Sequence, residues 1–175
     1  DSVFVDVFVT EAVGDAAPCL GDSTQLTAVG GGVSWLWAPP VGLSDASSQS
    51  PNASPTTTTT YTVFAEDASG CLATDSVTVQ VFALPQASAG PGFEVCIGES
   101  VVLQGSGGVG YSWEPATYLD DANAQLAIST AEATITYTLT VTDINSCTDT
   151  DSTEVVVNPL PIVDAGSDST ICPNS

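Results

Sequence analysis

Five cysteines, four tyrosines and 21 carboxylates are the side chains of this 175-residue chain with chemistry to offer, because Lys, Arg and His are all absent. A Ser-His-Asp or Cys-His nucleophile therefore has no base, and a zinc site has no imidazole ligand. A Schiff base, a P-loop and a Lys-Asn isopeptide cross-link all lack their lysine. A groove for DNA or RNA has no cation for the phosphates. Acid–base catalysis falls to carboxylates, tyrosines and cysteines, as in a glycosidase. The formal net charge is −21, so screening salt or bound divalent cations would relieve self-repulsion.

The charge does not imply disorder. The composition is 43% hydrophobic with a mean hydropathy of +0.25, enough apolar side chain to build a core. No run reaches the roughly 18 apolar residues of a membrane-spanning helix, and no basic n-region precedes an apolar one. Membrane insertion and nucleic-acid partners are not expected.

The elements that must position these groups come in repeats. Cys19-Leu20-Gly21-Asp22-Ser23 recurs as Cys96-Ile97-Gly98-Glu99-Ser100 and starts again at Cys172-Pro173-Asn174-Ser175. Trp37-Ala38-Pro39 recurs as Trp113-Glu114-Pro115, Tyr61-Thr62-Val63 as Tyr137-Thr138-Leu139, and Thr74-Asp75-Ser76 as Thr150-Asp151-Ser152. The period is about 76 residues. Asp1-Ser2-Val3 matches Asp75-Ser76-Val77, and 160–175 matches 84–99. This phase predicts the closing strand of a preceding repeat over 1–10, full repeats over 11–83 and 84–159, and the start of a third over 160–175. The period-two and short solid apolar runs predict an all-β chain of tandem β-sandwiches. Strands are expected over 24–29, 33–37, 61–66 and 75–82, and again over 101–104, 110–113, 136–142 and 152–157. Gly30-Gly31-Gly32, Gly107-Gly108 and Asp67-Ala68-Ser69-Gly70 supply turns where φ > 0 is needed.

The repeat suggests a disulfide framework. Cys19 is expected to pair with Cys71 and Cys96 with Cys147, leaving Cys172 for the missing part of a third repeat, although spacing alone leaves other pairings open. A bridge closing roughly 52 residues would be worth roughly 4 kcal/mol in the chain-entropy picture. It also implies an oxidising, extracellular or cell-surface setting. No CxxC occurs and no basic residue is available to activate a thiol, which argues against a redox or metal role for the cysteines.

Other candidates are carried by single motifs. Calcium, if any cofactor is used, would take Asp120, Asp121, Asp143, Asp149, Asp151, Asp164 and Asp168, whose rival role is as turn residues and strand starts. Glu114 beside Trp113 could be drawn as a glycosidase acid, but Ala38 stands at the equivalent position. A packed tryptophan explains the aromatic better, and no enzyme activity is expected. Trp35, Trp37 and Trp113 could stack on glycans, yet the repeated Trp37 and Trp113 read as core. Asp-Ser motifs make Ser2, Ser23, Ser76, Ser152 and Ser169 candidate glycosylation sites, and Asn52-Ala53-Ser54 is an N-linked sequon. Val3, Phe4, Val5, Val7, Phe8 and Val9 form a strand apolar on both faces. It either closes a preceding repeat of a continuous array or is donated to a neighbouring copy.

Taken together, Cys-x-Gly-[Asp/Glu]-Ser, Trp-x-Pro, Thr-Tyr-Thr-[Val/Leu], Asp-x-x-x-Cys and Thr-Asp-Ser resemble the Ig-like and PKD-like repeats of large secreted surface proteins of the Bacteroidota. The junction Pro159-Leu160-Pro161-Ile162-Val163-Asp164-Ala165-Gly166, followed by Asp168-Ser169-Thr170-Ile171-Cys172, is similar to theirs. The stretch 11–18 departs from it, lacking the Pro-x-Pro element. The resemblance implies a role in gliding-motility filaments, adhesins or other surface fibres. The expected function is a structural segment of an extracellular filament whose partners are copies of itself. The alternative is the stalk or module of a carbohydrate-binding adhesin, with glycans as partners.

Overall fold

The computed structural model describes residues 8–14, 17–164 and 166, and among these there are strands, turns and bends but no helix. The strands are β1 (Thr10–Gly14), β2 (Thr24–Gly30), β3 (Ser34–Ala38), β4 (Asn52–Ala53), β5 (Thr59–Glu66), β6 (Leu72–Val79), β7 (Phe93–Cys96), β8 (Val101–Gln104), β9 (Gly110–Glu114), β10 (Leu126–Ser129), β11 (Ile135–Thr142) and β12 (Thr148–Asn158). The chain divides into two compact units, residues 1–85 with 143–147 and residues 86–142 with 148–175.

In the first unit one sheet has the order β1-β2-β4 and the other β3-β5-β6. All pairs are antiparallel. The alternation in β5 puts Tyr61, Val63 and Ala65 inside and leaves Phe64 and Glu66 out. Tyr61 and Val63 pack with Leu26 and Ala28 of β2, Trp37 of β3, Ala53 of β4 and Val79 of β6, so both sheets share one core. The segment before β2 serves both layers. Its first part, β1, lies antiparallel to β2, and Cys19 then makes a parallel bridge with Phe82 beyond β6.

The second unit repeats the plan with sheets β10-β8 and β7-β12-β11-β9. Ser88 bridges Ser106 antiparallel, and β7 then runs parallel to β12, so the leading segment again switches sheets. Leu103, Trp113, Tyr137, Leu139, Val141 and Val155 fill the core. Each unit is an Ig-like β-sandwich built from two twisted layers with a shared apolar interior.

The eight strands expected within the two full repeats are present, with ends shifted by up to four residues, while most of the closing strand expected over 1–10 lies outside the described residues. β6 begins at Leu72 rather than 75 because the tight turn before it puts Leu72 directly opposite Glu66. Strands β1, β4, β7 and β10 had no clear signal. β4 has two residues and β10 is an Ala/Ser-containing tetrapeptide, too short for periodicity to register.

Two aromatics per unit bury polar tips at no cost in unmet hydrogen bonds. Trp37 Nε1 donates to the Ser48 carbonyl at 3.0 Å, and Trp113 Nε1 to that of Ala124 at 3.0 Å. Tyr61 donates to the Val41 carbonyl at 2.8 Å, and Tyr137 to that of Thr117 at 2.9 Å. The repeated Trp-x-Pro places cis peptides at Ala38–Pro39 and Glu114–Pro115. Glycine is required where the leading segment crosses: at Gly30, φ is +147° and a Cβ would stand 2.5 Å from the Val9 carbonyl oxygen. Gly107, at φ +112°, meets the Gln86 carbonyl in the same way.

That crossing is latched by the aspartate of Thr-Asp-Ser. Asp75 Oδ2 accepts the Ala12 N–H at 2.8 Å, and Asp151 Oδ2 accepts that of Ala89 at 2.9 Å. These bonds, with a second from the amides of Ser76 and Ser152 respectively, hold both carboxyls below their ordinary value of 3.8. A carboxylate lowered in the fold contributes stability that is complete above about pH 4 and is lost as pH falls through the folded value. The difference in denaturant midpoint between wild type and Asp151→Asn should therefore be largest near neutrality and shrink as pH falls below 3.8. Comparing the two proteins cancels the general relief of repulsion as other carboxylates protonate. In the core, Leu103→Ala should cost about 2–5 kcal/mol in urea unfolding, whereas the neighbouring Val102→Ala, on the outer face, should stay within about 0.5 kcal/mol.

Candidate functional site

The cysteines pair differently from the expectation. The disulfide joins Cys19 to Cys147, 128 residues apart, with Cα atoms 5.6 Å from each other. Cys71 and Cys96 are free and exposed. Pairing within one repeat fails on strand length. Cys71 directly precedes β6, and Phe82, Cys19's bridge partner, lies beyond the far end of that strand, eleven residues further on. At about 3.3 Å per residue that is roughly 35 Å, several times a disulfide's reach of about 4.4–6.8 Å between Cα atoms. Cys96 sits opposite Asn158, the far end of the strand that follows Cys147, so the second expected pair fails for the same reason. Cys172 lies outside the described residues.

Cys71 and Cys147 are presented by the same turn. Asp67 Oδ1 accepts the N–H of Ser69 at 2.8 Å and of Cys71 at 2.9 Å. Asp143 Oδ1 accepts those of Asn145 at 2.8 Å and Cys147 at 2.9 Å. Gly70 and Ser146 close the two turns at φ +80° and +66°. The Asp-x-x-x-Cys motif is thus a hairpin turn knotted on its own aspartate. Cys19 and Cys96 share a setting too: Leu20 N–H donates to the Phe82 carbonyl at 2.8 Å, and Ile97 N–H to that of Asn158 at 3.0 Å.

The other calcium candidates are engaged in a similar way. Asp120 Oδ1 accepts from the amides of Asp121 and Ile128, each at 2.7 Å, and Asp121 Oδ1 accepts from Asn123 at 2.8 Å. Asp149 Oδ2 takes the Ala87 N–H at 3.1 Å, and Asp164 Oδ1 that of Gly166 at 2.8 Å. Asp45, the counterpart of Asp121, holds Ser47 through its hydroxyl and amide, and these bonds lower its carboxyl. Among the described residues no three acidic or cysteine side chains are grouped to hold a metal ion. Asp168 lies outside them.

Trp37 and Trp113 are buried in their cores, so neither offers a face to a sugar; Trp35 packs half-buried against the first core. Glu114 lines an open depression of about 680 Å³ with Ser112, Pro115, Thr136 and Thr138, and no second carboxylate joins it there. Ser23, Ser76, Ser152 and Asn52 are exposed, as glycan acceptors would need to be; Ser2 and Ser169 are outside the described residues. So are Val3, Phe4, Val5 and Val7 of the apolar N-terminal strand. Phe8 is half-buried and Val9 exposed, and both line a groove of about 440 Å³ with Gly30, Gly31, Asp67, Ser69 and Cys71.

The latch role of Asp75 and Asp151 escaped sequence reasoning, which offered Asp151 as a calcium ligand and Asp75 not at all. The signal was available in the recurrence of Thr-Asp-Ser at a strand start, which the glycosylation motif absorbed.

No family model and no curated protein matches the chain. Solved structures do. The PKD domain of the KIAA 1837 protein is 28% identical over 49% of this chain and 93% of its own, with a TM-score of 0.38. The C-terminal 282-residue fragment of intimin, solved with the intimin-binding domain of its translocated receptor, is 16% identical over 88% of this chain and 64% of that one, with a TM-score of 0.49. Immunoglobulin domains 1–4 of Sidekick-1 are 13% identical over 85% of this chain and 48% of theirs, with a TM-score of 0.38. The chain thus spans about half the length of the Sidekick-1 fragment, and what it is similar to are PKD and Ig-like domains.

Proposed function

We propose that this chain is a structural segment of an extracellular fibre made of tandem Ig-like domains, its partners being further repeats of the same kind. The observation that carries the reading is the disulfide between Cys19 of the first sequence repeat and Cys147 of the second. Ig-like units that each close their own bridge need no neighbour. A bond that reaches from one sequence repeat into the next suits an array under tension or proteolytic attack, since it closes a loop of 128 residues and limits how far the chain can be drawn out. The absence of Lys and Arg removes every trypsin-type cleavage site, and −21 charges keep such an array soluble and apart from anionic surfaces. The disulfide also favours an oxidising location. The role is one of architecture rather than catalysis.

Gold-labelled antibody against this chain, applied to cells of the source organism, tests the reading. Label should run along surface fibres at a regular axial spacing. Label confined to fibre tips would move the assignment to the adhesin alternative, and label found only on dispersed protein in the medium would sink the fibre.

A further inference from the structure

Cys71 and Cys96 are two exposed thiols whose counterparts in the same chain are already joined. The correspondence holds at the level of backbone geometry. Around Cys71 the Asp67 N–H donates to the Cys71 carbonyl at 3.0 Å and the Gly70 N–H to the Asp67 carbonyl at 3.1 Å. Around Cys147 the equivalent bonds, from Asp143 and Ser146, are 2.9 and 3.2 Å. Around Cys96 the Glu99 N–H returns to the Cys96 carbonyl at 3.0 Å with Gly98 at φ +92°. Around Cys19 the Asp22 N–H returns at 2.9 Å with Gly21 at φ +99°. Each free thiol is therefore displayed as its bonded equivalent is. Cys71 also stands on a groove of about 440 Å³ floored by Phe8, Val9, Gly30 and Gly31, with room for another segment beside the sulfur.

We propose that Cys96 of one copy and Cys71 of a second copy form an intermolecular disulfide, the counterpart of Cys19–Cys147. The proposal names the covalent joint of the fibre and rests on that reading. Two different surfaces meet in such a bond, so a joined pair still carries one free Cys71 and one free Cys96, and linking continues as an open chain. The oxidant is a disulfide donor, either a small-molecule disulfide or the disulfide of an oxidoreductase. The Cys71 thiolate attacks one donor sulfur and expels the other as a thiolate. The Cys96 thiolate of the second copy then attacks the Cys71 sulfur and expels the remaining donor half. One S–S bond forms as the donor's breaks, and the two protons pass to the two expelled thiolates.

The test uses the full chain carrying Cys172→Ser, so that Cys71 and Cys96 are the only thiols outside the Cys19–Cys147 bond, incubated with oxidised glutathione. Non-reducing electrophoresis should show a ladder of multimers that dithiothreitol collapses. Fragments from a Glu-specific protease should include one in which Cys71 is linked to Cys96. Chains with Cys71→Ser alone or Cys96→Ser alone should lose the ladder, and mixing the two should restore a dimer but nothing larger. A monomer with Cys71 bonded to its own Cys96, or single-variant homodimers forming as fast as the mixed dimer, would overturn the proposal. So would multimers that form equally well with both thiols replaced. That last result leaves the fibre standing on other contacts, whereas the antibody labelling decides the fibre independently of any thiol.

Discussion

Neither sequence repeat joins its own two cysteines, and the buried Trp–Tyr pair at the centre of each sandwich is what the rest of its packing depends on. Trp37 with Tyr61, and Trp113 with Tyr137, are the largest side chains removed from solvent in their units. Burial of such rings stabilises only if the indole N–H and phenol O–H keep partners, because an orphaned polar tip would cost about as much as a side chain gains. Both tips end on carbonyls of the connection between the two sheets, at 48 and 41 in one unit and 124 and 117 in the other. The long connection is thereby pinned across the core from both sides. Tyr137 goes further, sharing its hydroxyl with Ser129 at 2.9 Å in the interior. Among the described residues no buried side-chain nitrogen or oxygen lacks a partner.

With no cationic side chain available, the carboxylates have only amides and hydroxyls to bind. Asp67 and Asp143 tie hairpin turns, Asp45 and Asp121 tie the connection, and Asp75 and Asp151 tie the leading segment to the sheet it crosses. These are local bonds to partners held in place by the fold, so salt weakens them less than it would weaken surface ion pairs. The same carboxylates that looked like metal ligands are occupied in shaping backbone. An acidic chain can thus be rigid at its turns while its surface repels other anions.

The two units share a frame but differ in their outer faces. Leu36 lies opposite Phe64 on the outside of β3 and β5, both about half exposed. In the second unit Ser112 and Thr140 occupy the corresponding pair, while exposed Val102 and Ile128 face each other across β8 and β10. The inward residues are interchangeable between repeats because both cores obey one geometry. The outward ones are free to diverge, and in a tandem array they are where one repeat is told from the next.

Period, the longer strands and the all-β class could be read from the chain because they depend on local pattern: alternation in Thr-Tyr-Thr-Val and Thr-Tyr-Thr-Leu, glycine at the crossings, and recurrence of Trp-x-Pro. The partner of each cysteine could not. Sequence spacing counts residues along the chain, and Cys19 to Cys71 looked like a closed loop. A bond depends on distance in space, and an extended strand places roughly 35 Å between the two ends of one sandwich. The role of the repeated aspartates was hidden for a related reason. Whether a carboxylate meets a metal, a sugar or an amide is set by the neighbouring strand that the fold brings to it. In Asp75 and Asp151 that neighbour is an amide more than 60 residues away in the chain.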